Sequence, residues 1–362
     1  MKKIIQTSTL FILTSILFLS CDSKKPAIGN EDEIFVFADS LEYIELEPVL
    51  LQIFGKTIYT PTPEQLFLLN WKDISEINSF QHRKNIIIIA PFNSDTETSK
   101  LIRNIVSPEV KSKIESDSLF VVNKYDLWSK DQLVMVLTSP SIEKLKYNIL
   151  NNENDLVYFF QKISDKRLLK SIYNPTFENE KQEAEFLKKY DWLIYVQKDF
   201  VVAKDDSLNN FVWLRRSPGS NLERWVSIHW IDNASPAFLN PDSIYKERNR
   251  LTEFYFRTMD NSAYVEIADD YLSSTDVNFN GKYAIFTQGL WRMNDKSMGG
   301  PFINYTFYDE KSKRIYMLDG SIFAPKFYKK SLIQQVDVIL QSFKPGHEIN
   351  ENKREDLLDL VD

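Results

Sequence analysis

The chain has 362 residues, a formal net charge of -7, a single cysteine, nine glycines and 43% hydrophobic residues. This acidic balance excludes the basic footprint of a nucleic-acid binder and gives no polybasic membrane patch. One cysteine excludes an internal disulfide and cysteine metal clusters, and the few glycines leave no long phosphate-cradling loop, so apolar cores must hold a chain long enough for two domains.

In chain order, Lys2 and Lys3 precede an apolar run, Leu10 to Leu19, that is too short to span a bilayer but suits a signal segment. It ends in Leu19-Ser20-Cys21, which resembles a bacterial lipoprotein lipobox with Phe18 where leucine is usual. The resemblance implies a signal peptide over 1–21, cleavage before Cys21, lipid on its thiol, and export to the cell envelope. The polar stretch 22–32, with Pro26 and Gly29, reads as a tether. Asp22-Ser-Lys-Lys25 carries no acidic run, which points to an outer-membrane anchor facing the periplasm.

An N-terminal α+β domain is expected over 33–175. Ile34–Ala38 and Asn85–Ala90 read as buried strands. Pro48 is placed at the first turn of a helix running to Phe54, with Gly55 ending it, and Pro61 and Pro63 mark a loop. A helix follows at Pro108–Glu115. Leu119–Tyr125 and Gln132–Thr138 form a hairpin-like pair. A helix capped at Ser139-Pro140-Ser141 runs to Leu150, and Leu156, Phe159, Phe160 and Ile163 fall at helical spacing on the next. A charged helix, Glu178–Tyr190, spans the domain boundary, which is placed between Asn174 and Tyr190.

The C-terminal domain, 190–345, reads as antiparallel sheet. Strands are expected at Ile194–Val196, Phe200–Ala203, Phe211–Arg215, Trp225–Ile231, Lys282–Trp291, Phe302–Tyr308 and Arg314–Ile322, with turn chemistry at Asp205-Asp206 and Pro218–Asn221. Pro241 opens a helix to Phe256. Leu332, Ile333, Val336, Ile339, Leu340 and Phe343 give a helix with one apolar face. Residues 346–362 read as a mobile charged tail. The fold class is α+β, in two domains that are each a largely antiparallel sheet packed with helices.

Five motifs stand in order: Asp126–Lys130, Phe211–Arg216, Gly289–Met293, Met298–Phe302, and Asp319-Gly320 with Ala324-Pro325. Together they resemble a lipoprotein family found mainly in Bacteroidota, domain of unknown function 4837, over about 31–345. Ser321 departs from the pattern, in which an apolar residue follows Asp-Gly, and the tail is extra. The resemblance implies no activity and gives no residue a role. The second domain also resembles the PsbP-like fold in its strand order, its Asn280-Gly281 turn and its final helix ending at Ser342-Phe343, an analogy of fold alone.

Chemistry is sparse. His82, His229 and His347 show no metal-ligand spacing, so a metal site would need distant carboxylates; none is expected, nor any cofactor. There is no nucleophile motif. Glu266, Asp269 and Asp270 could form a glycosidase-type carboxylate group, but read more simply as a solvated strand end. Gly299-Gly300 reads as a turn using positive φ, or as backbone brought close to a ligand. With Trp291 these glycines are the candidate binding surface, and Trp213 and Trp225 lie on strands of the same sheet. The expected function is a non-enzymatic binding or assembly module, anchored to a membrane through its lipid, with an envelope protein or a glycan as partner. The alternative is a carboxylate-dependent hydrolase of glycans or peptides.

Overall fold

Three uninterrupted apolar runs build the first sheet. Ile34–Phe37, Ile86–Ile89 and Leu133–Leu137 are buried throughout. The structure, a computed structural model, describes residues 24–60 and 62–361, so Cys21 and the expected leader lie outside the described residues. The described chain divides into two compact units: Lys24–Gly55 with Phe67–Ile163, and Lys56–Leu66 with Ser164–Val361. The division falls inside the helix Glu153–Ile172, earlier than the expected zone of 174–190. Leu168 and Ile172 of that helix already belong to the core of the second unit.

The strands are β1 (Glu33–Phe37), β2 (Thr57–Thr60), β3 (Thr62–Gln65), β4 (Leu68–Lys72), β5 (Asn85–Ile89), β6 (Val121–Tyr125), β7 (Leu133–Leu137) and β8 (Trp192–Leu193). They continue with β9 (Phe200–Asp206), β10 (Phe211–Arg216), β11 (Glu223–Ile231), β12 (Val265–Phe279), β13 (Lys282–Met293), β14 (Gly299–Asp309), β15 (Arg314–Phe323) and β16 (Lys344–Pro345).

In the first unit the sheet order is β4-β1-β5-β7-β6. The α+β class stands, but the largely antiparallel sheet expected here does not. β1 pairs with β4 and β5, and β5 with β7, all in parallel; only β6 and β7 are antiparallel. The physical reason is burial of both faces, which demands continuous apolar strands rather than alternation. The first helix, Ser40–Ile53, starts earlier than expected because Asp39 caps it by accepting from Leu41 N at 3.1 Å. Pro48 therefore lies inside it, where its missing donor frees the carbonyl of the exposed Ile44 to meet water. The expected tether is also shorter than 22–32. Ala27 N donates to Lys130 O and Ile28 N to His82 O, both at 2.9 Å, so the chain joins the unit from Pro26.

The second unit is a seven-stranded sheet, β12-β13-β14-β15-β11-β10-β9, antiparallel in every pairing. Alternation sends Val226, Ile228, Ile303, Phe307, Tyr316 and Leu318 to one face, where the helix Lys330–Leu340 packs through Val336 and Leu340. The other face carries Phe211, Trp291, Met293 and Phe302 and takes Leu251 of the helix Pro241–Tyr255. Helices on both sides of an antiparallel sheet is the arrangement the PsbP-like resemblance implies. Asn280 and Gly281, both at positive φ, form the two-residue turn between β12 and β13. β12 was not anticipated. A bulge between Ala268 and Ser273 interrupts its alternation and moves its residues from one face to the other.

Two further expectations give way to packing. Of the two prolines expected to mark a loop, Pro61 lies outside the described residues and Pro63 sits in β3 of a small hairpin. From that hairpin the buried Glu64 carboxylate accepts Lys329 N at 2.8 Å and Lys330 N at 3.1 Å, capping the helix Lys330–Leu340, which has no cap of its own. The tail is not a mobile segment either. Residues Glu351–Leu358 form a helix capped by Asn350, and Leu357 is buried with Ile349 against Ala184, Leu187 and Leu193.

Beneath the helix Pro241–Tyr255 lies a buried ion pair. Arg248, 2% exposed, donates through Nε to Asp319 Oδ2 at 2.6 Å and through Nη2 to Asp319 Oδ1 at 3.3 Å. Its guanidinium lies 3.5 Å from the centroid of the Phe302 ring. Ser321 Oγ accepts from Arg248 and donates to Asp319, so the serine that departs from the family pattern completes this network. Gly320 is required on the opposite face, where a Cβ would lie 2.3 Å from Val336 Cγ1. The Asp-Gly motif thus serves both faces of one strand. We expect Asp319→Ala to cost about 3–5 kcal/mol in urea denaturation, because it strands a buried cation. The double variant Arg248→Met/Asp319→Leu should regain most of that loss. A single-variant cost below about 1 kcal/mol would show that the pair does not carry the packing.

Candidate functional site

On the face covered by the helix Pro241–Tyr255, alternation aligns aromatic residues from four strands. Trp213 of β10, Trp225 of β11, Trp291 of β13 and Phe323 of β15 meet Phe256, which follows the helix. Trp213 stacks on Phe256 at 4.3 Å between centroids, Trp213 meets Trp225 edge-on at 6.0 Å, and Trp225 lies 4.9 Å from Trp291. These rings do not close completely. They line a cavity of about 140 Å³ shared with Val265, Met293, Met298, Arg257 and Thr258.

One wall of the cavity is a carboxylate held on every side. Glu223, 5% exposed, accepts from Arg215 Nη2 at 2.6 Å and Nε at 3.1 Å, from Trp225 Nε1 at 2.8 Å, and from Gly219 N at 2.6 Å. Three of these donors converge on Oε2 and Gly219 N takes Oε1, which fixes both the carboxylate and the Trp225 indole in place. Trp213 differs: its Nε1 is buried and has no hydrogen-bond partner among the described residues. An unpaired buried donor costs on the order of 1–3 kcal/mol.

The three residues expected to form a binding surface come together, but not as a surface. Trp291 is 1% exposed and supplies floor to the cavity. Its Nε1 donates to Ile322 O at 3.2 Å. Gly299 and Gly300 are not turn residues at positive φ; they begin β14, paired with Arg292 and Trp291. The turn lies earlier, where Lys296 takes positive φ and Asp295 accepts from Ser297 N. Gly300 is needed for close approach, since a Cβ there would lie 1.9 Å from Ile322 O and 2.9 Å from Trp291 Nε1.

The candidate carboxylates do not converge. Glu266 accepts from Arg292 Nε at 2.8 Å, while Asp269 and Asp270 are exposed in the β12 bulge. His82 Nδ1 lies 2.9 Å from Ser129 Oγ. His229 is buried, with Nδ1 2.8 Å from Asn210 O and Nε2 3.1 Å from Glu247 Oε1. Burial alone would raise Glu247, yet Arg250 and His229 hold it down at about 2. Burial raises Glu183, whose Oε1 accepts Val196 N at 2.8 Å and ties the helix Glu180–Tyr190 to the segment after β8. Sequence reasoning missed Glu223, Arg215 and Arg248. Alternation with Trp213 and Trp225 was the available signal for the first two.

Together the fold and cavity define an α+β protein with a seven-stranded antiparallel sheet and an aromatic pocket on one face. Residues 178–342 match domain of unknown function 4837, and residues 27–173 match domain of unknown function 8532. Each part of the chain is thus similar to a domain family of unknown function. The first match is narrower than the expected span of 31–345, and Asp126–Lys130 falls in the other family. Among solved structures, the Ran-binding protein Mog1p of Saccharomyces cerevisiae is similar over 43% of this chain and 90% of its own, at 9% identity and a TM-score of 0.28. A Bacteroides thetaiotaomicron protein is similar over 45% of this chain and 47% of its own, at 7% identity and a TM-score of 0.26. No curated protein matches the chain.

Because the Gly300 contact is with backbone, it has no soft partner. Gly300→Ala should destabilise the protein by about 3 kcal/mol and loosen the Trp291 indole. Gly299→Ala, whose Cβ would lie 2.9 Å from Trp291 O, should cost less. Thermal melts and the red shift of tryptophan emission measure both. Wild-type behaviour of Gly300→Ala would refute the close-approach account.

Proposed function

We propose that this protein is a lipid-anchored module of the cell envelope that binds a ligand without transforming it, through the tryptophan-lined cavity of its second unit. The observation that carries this reading is the cavity itself: about 140 Å³ walled by aromatic rings, with Arg257 among its lining residues. A space of that size is comparable to an engineered apolar cavity of about 150 Å³ that takes benzene. It therefore suits one ring or one branched apolar side chain. Arg257 at the wall favours an acceptor with negative charge, such as a carboxylate. The hydrolase alternative gains nothing here, because Glu223 is pinned by Arg215, Trp225 and Gly219, Glu266 is engaged by Arg292, and the two acids do not face each other as a pair in the cavity.

The test uses N-acetylphenylalanine and indole as probes, followed by tryptophan quenching and by amide chemical shifts. Saturable binding is expected, with the acid preferred. Met298→Trp, which fills the cavity from its half-exposed margin, should weaken it about tenfold or more. No saturable binding of either probe, or binding unchanged by Met298→Trp, would refute the reading. The anchor is tested separately. Cys21→Ala should abolish palmitate incorporation and release the protein from membranes, and a variant that still sediments with membranes would show that Cys21 is not the anchor.

A further inference from the structure

A second cluster lies at the end of the sheet formed by the β13 start and the β14 end. Asp309 closes β14 and is 3% exposed. Its Oδ2 accepts Ser312 N at 2.8 Å and Ser312 Oγ at 2.5 Å, which turns Oδ1 toward His347. His347 and Glu348 are presented by a single 3₁₀ turn, Gly346–Glu348. That turn is fixed at its base. β16 pairs with β8, Gly346 N donates to Asp191 O at 2.8 Å, and a Cβ on Gly346 would lie 2.0 Å from Asp191 Oδ1.

The three side chains converge on one point. His347 Nε2 lies 3.5 Å from Asp309 Oδ1 and 3.8 Å from Glu348 Oε1, and all three ligand atoms fall within 4.8 Å of one another. These separations are too long for good hydrogen bonds. They approach the spacing of about 3.3–3.5 Å between ligands that each sit 2.0–2.2 Å from a tetrahedral zinc ion. We propose that Asp309, His347 and Glu348 form a binding site for a divalent transition metal of the Zn²⁺ class. One imidazole and two carboxylates is a borderline-hard donor set suited to that class. Ser312 does for Asp309 what outer-sphere donors do in zinc proteins, holding the second oxygen so that the first points inward. The site opens on a cleft of about 600 Å³ lined by Lys282, Tyr308, Asp309 and Glu348, from which water can supply the fourth ligand.

Lys282 makes the proposal discriminating. Its Nζ pairs with Glu348 Oε1, the same oxygen assigned to the metal. An ammonium there competes with a divalent cation, so metal entry must displace it. Removing the lysine therefore tightens metal binding, whereas in a purely structural ion-pair cluster it creates no metal affinity. The cluster is independent of the tryptophan cavity.

The experiment titrates ZnCl₂ into the chelator-treated protein by calorimetry and records the visible spectrum with Co²⁺. One equivalent of Zn²⁺ should bind, raise the melting temperature, and be matched by the intense ligand-field bands of low-coordinate Co²⁺. His347→Gln and Asp309→Asn should each weaken binding by at least about tenfold, and Lys282→Met should tighten it several-fold. The Co²⁺ spectrum of the unaltered protein reads the site without any variant having to fold. Featureless Co²⁺ spectra with no saturable Zn²⁺ binding would overturn the proposal. So would Zn²⁺ affinity that His347→Gln leaves unchanged.

Discussion

The second unit is organised around a cation that the fold has taken out of water. Arg248 lies under the helix Pro241–Tyr255, paired with Asp319 and stacked on Phe302. Its Nε and Nη2 are engaged by Asp319 and Ser321 and its flat face by Phe302, while Nη1 has no partner among the described residues; each contact made restricts a different element. Asp319 must stand mid-strand on β15 at the helix-facing position. Phe302 must sit next door on β14, opposite Ser321. The helix must then cross where Arg248 can reach both. Register across two strands and a helix follows from one side chain, because a shift of one residue would turn Asp319 to the other face.

The aromatic cavity is a consequence of the same face. Trp213, Trp225 and Trp291 share it with Arg248, and large rigid rings drawn from three strands cannot tile it as densely as aliphatic side chains. Glu223 does not fill the remaining space. It pulls Arg215 and the Trp225 indole to one wall and thereby holds the cavity open. Gly300 acts from the other side, since its missing side chain lets Trp291 lie across the backbone and reach Ile322. Polar saturation at the wall and steric permission at the floor together shape a pocket that neither could make alone.

Distance along the chain separates the legible features from the rest. The Asn280-Gly281 turn, the β14–β15 hairpin and the apolar stripe from Leu332 to Leu340 depend on local chemistry and were readable as such. The parallel pairing of β1, β4 and β5 was not, because a run such as Ile86–Ile89 announces burial on both faces without saying which way its neighbours run. Nor was the Glu64 cap, whose acceptor is 265 residues from the nearer of its donors. The tail misled for a related reason. Its charges are local and visible, while its value lies in Leu357 meeting a helix that begins at Glu180.

The α+β class, the acidic and nearly cysteine-free chemistry, most strand and helix positions in the second half, and the short list of tryptophans and glycines worth following are all legible in the residues alone. These are properties of composition and of periods of two and 3.6 residues, which any local window contains. Folding alone makes Gly299-Gly300 a close approach and not a turn, turns Trp291 into floor and not surface, and brings Glu223 to Arg215 and Trp225. It alone brought His347 to Asp309. The reason is that each of these is a statement about which atoms come within a few ångströms across strands, and that depends on register, which no single segment carries.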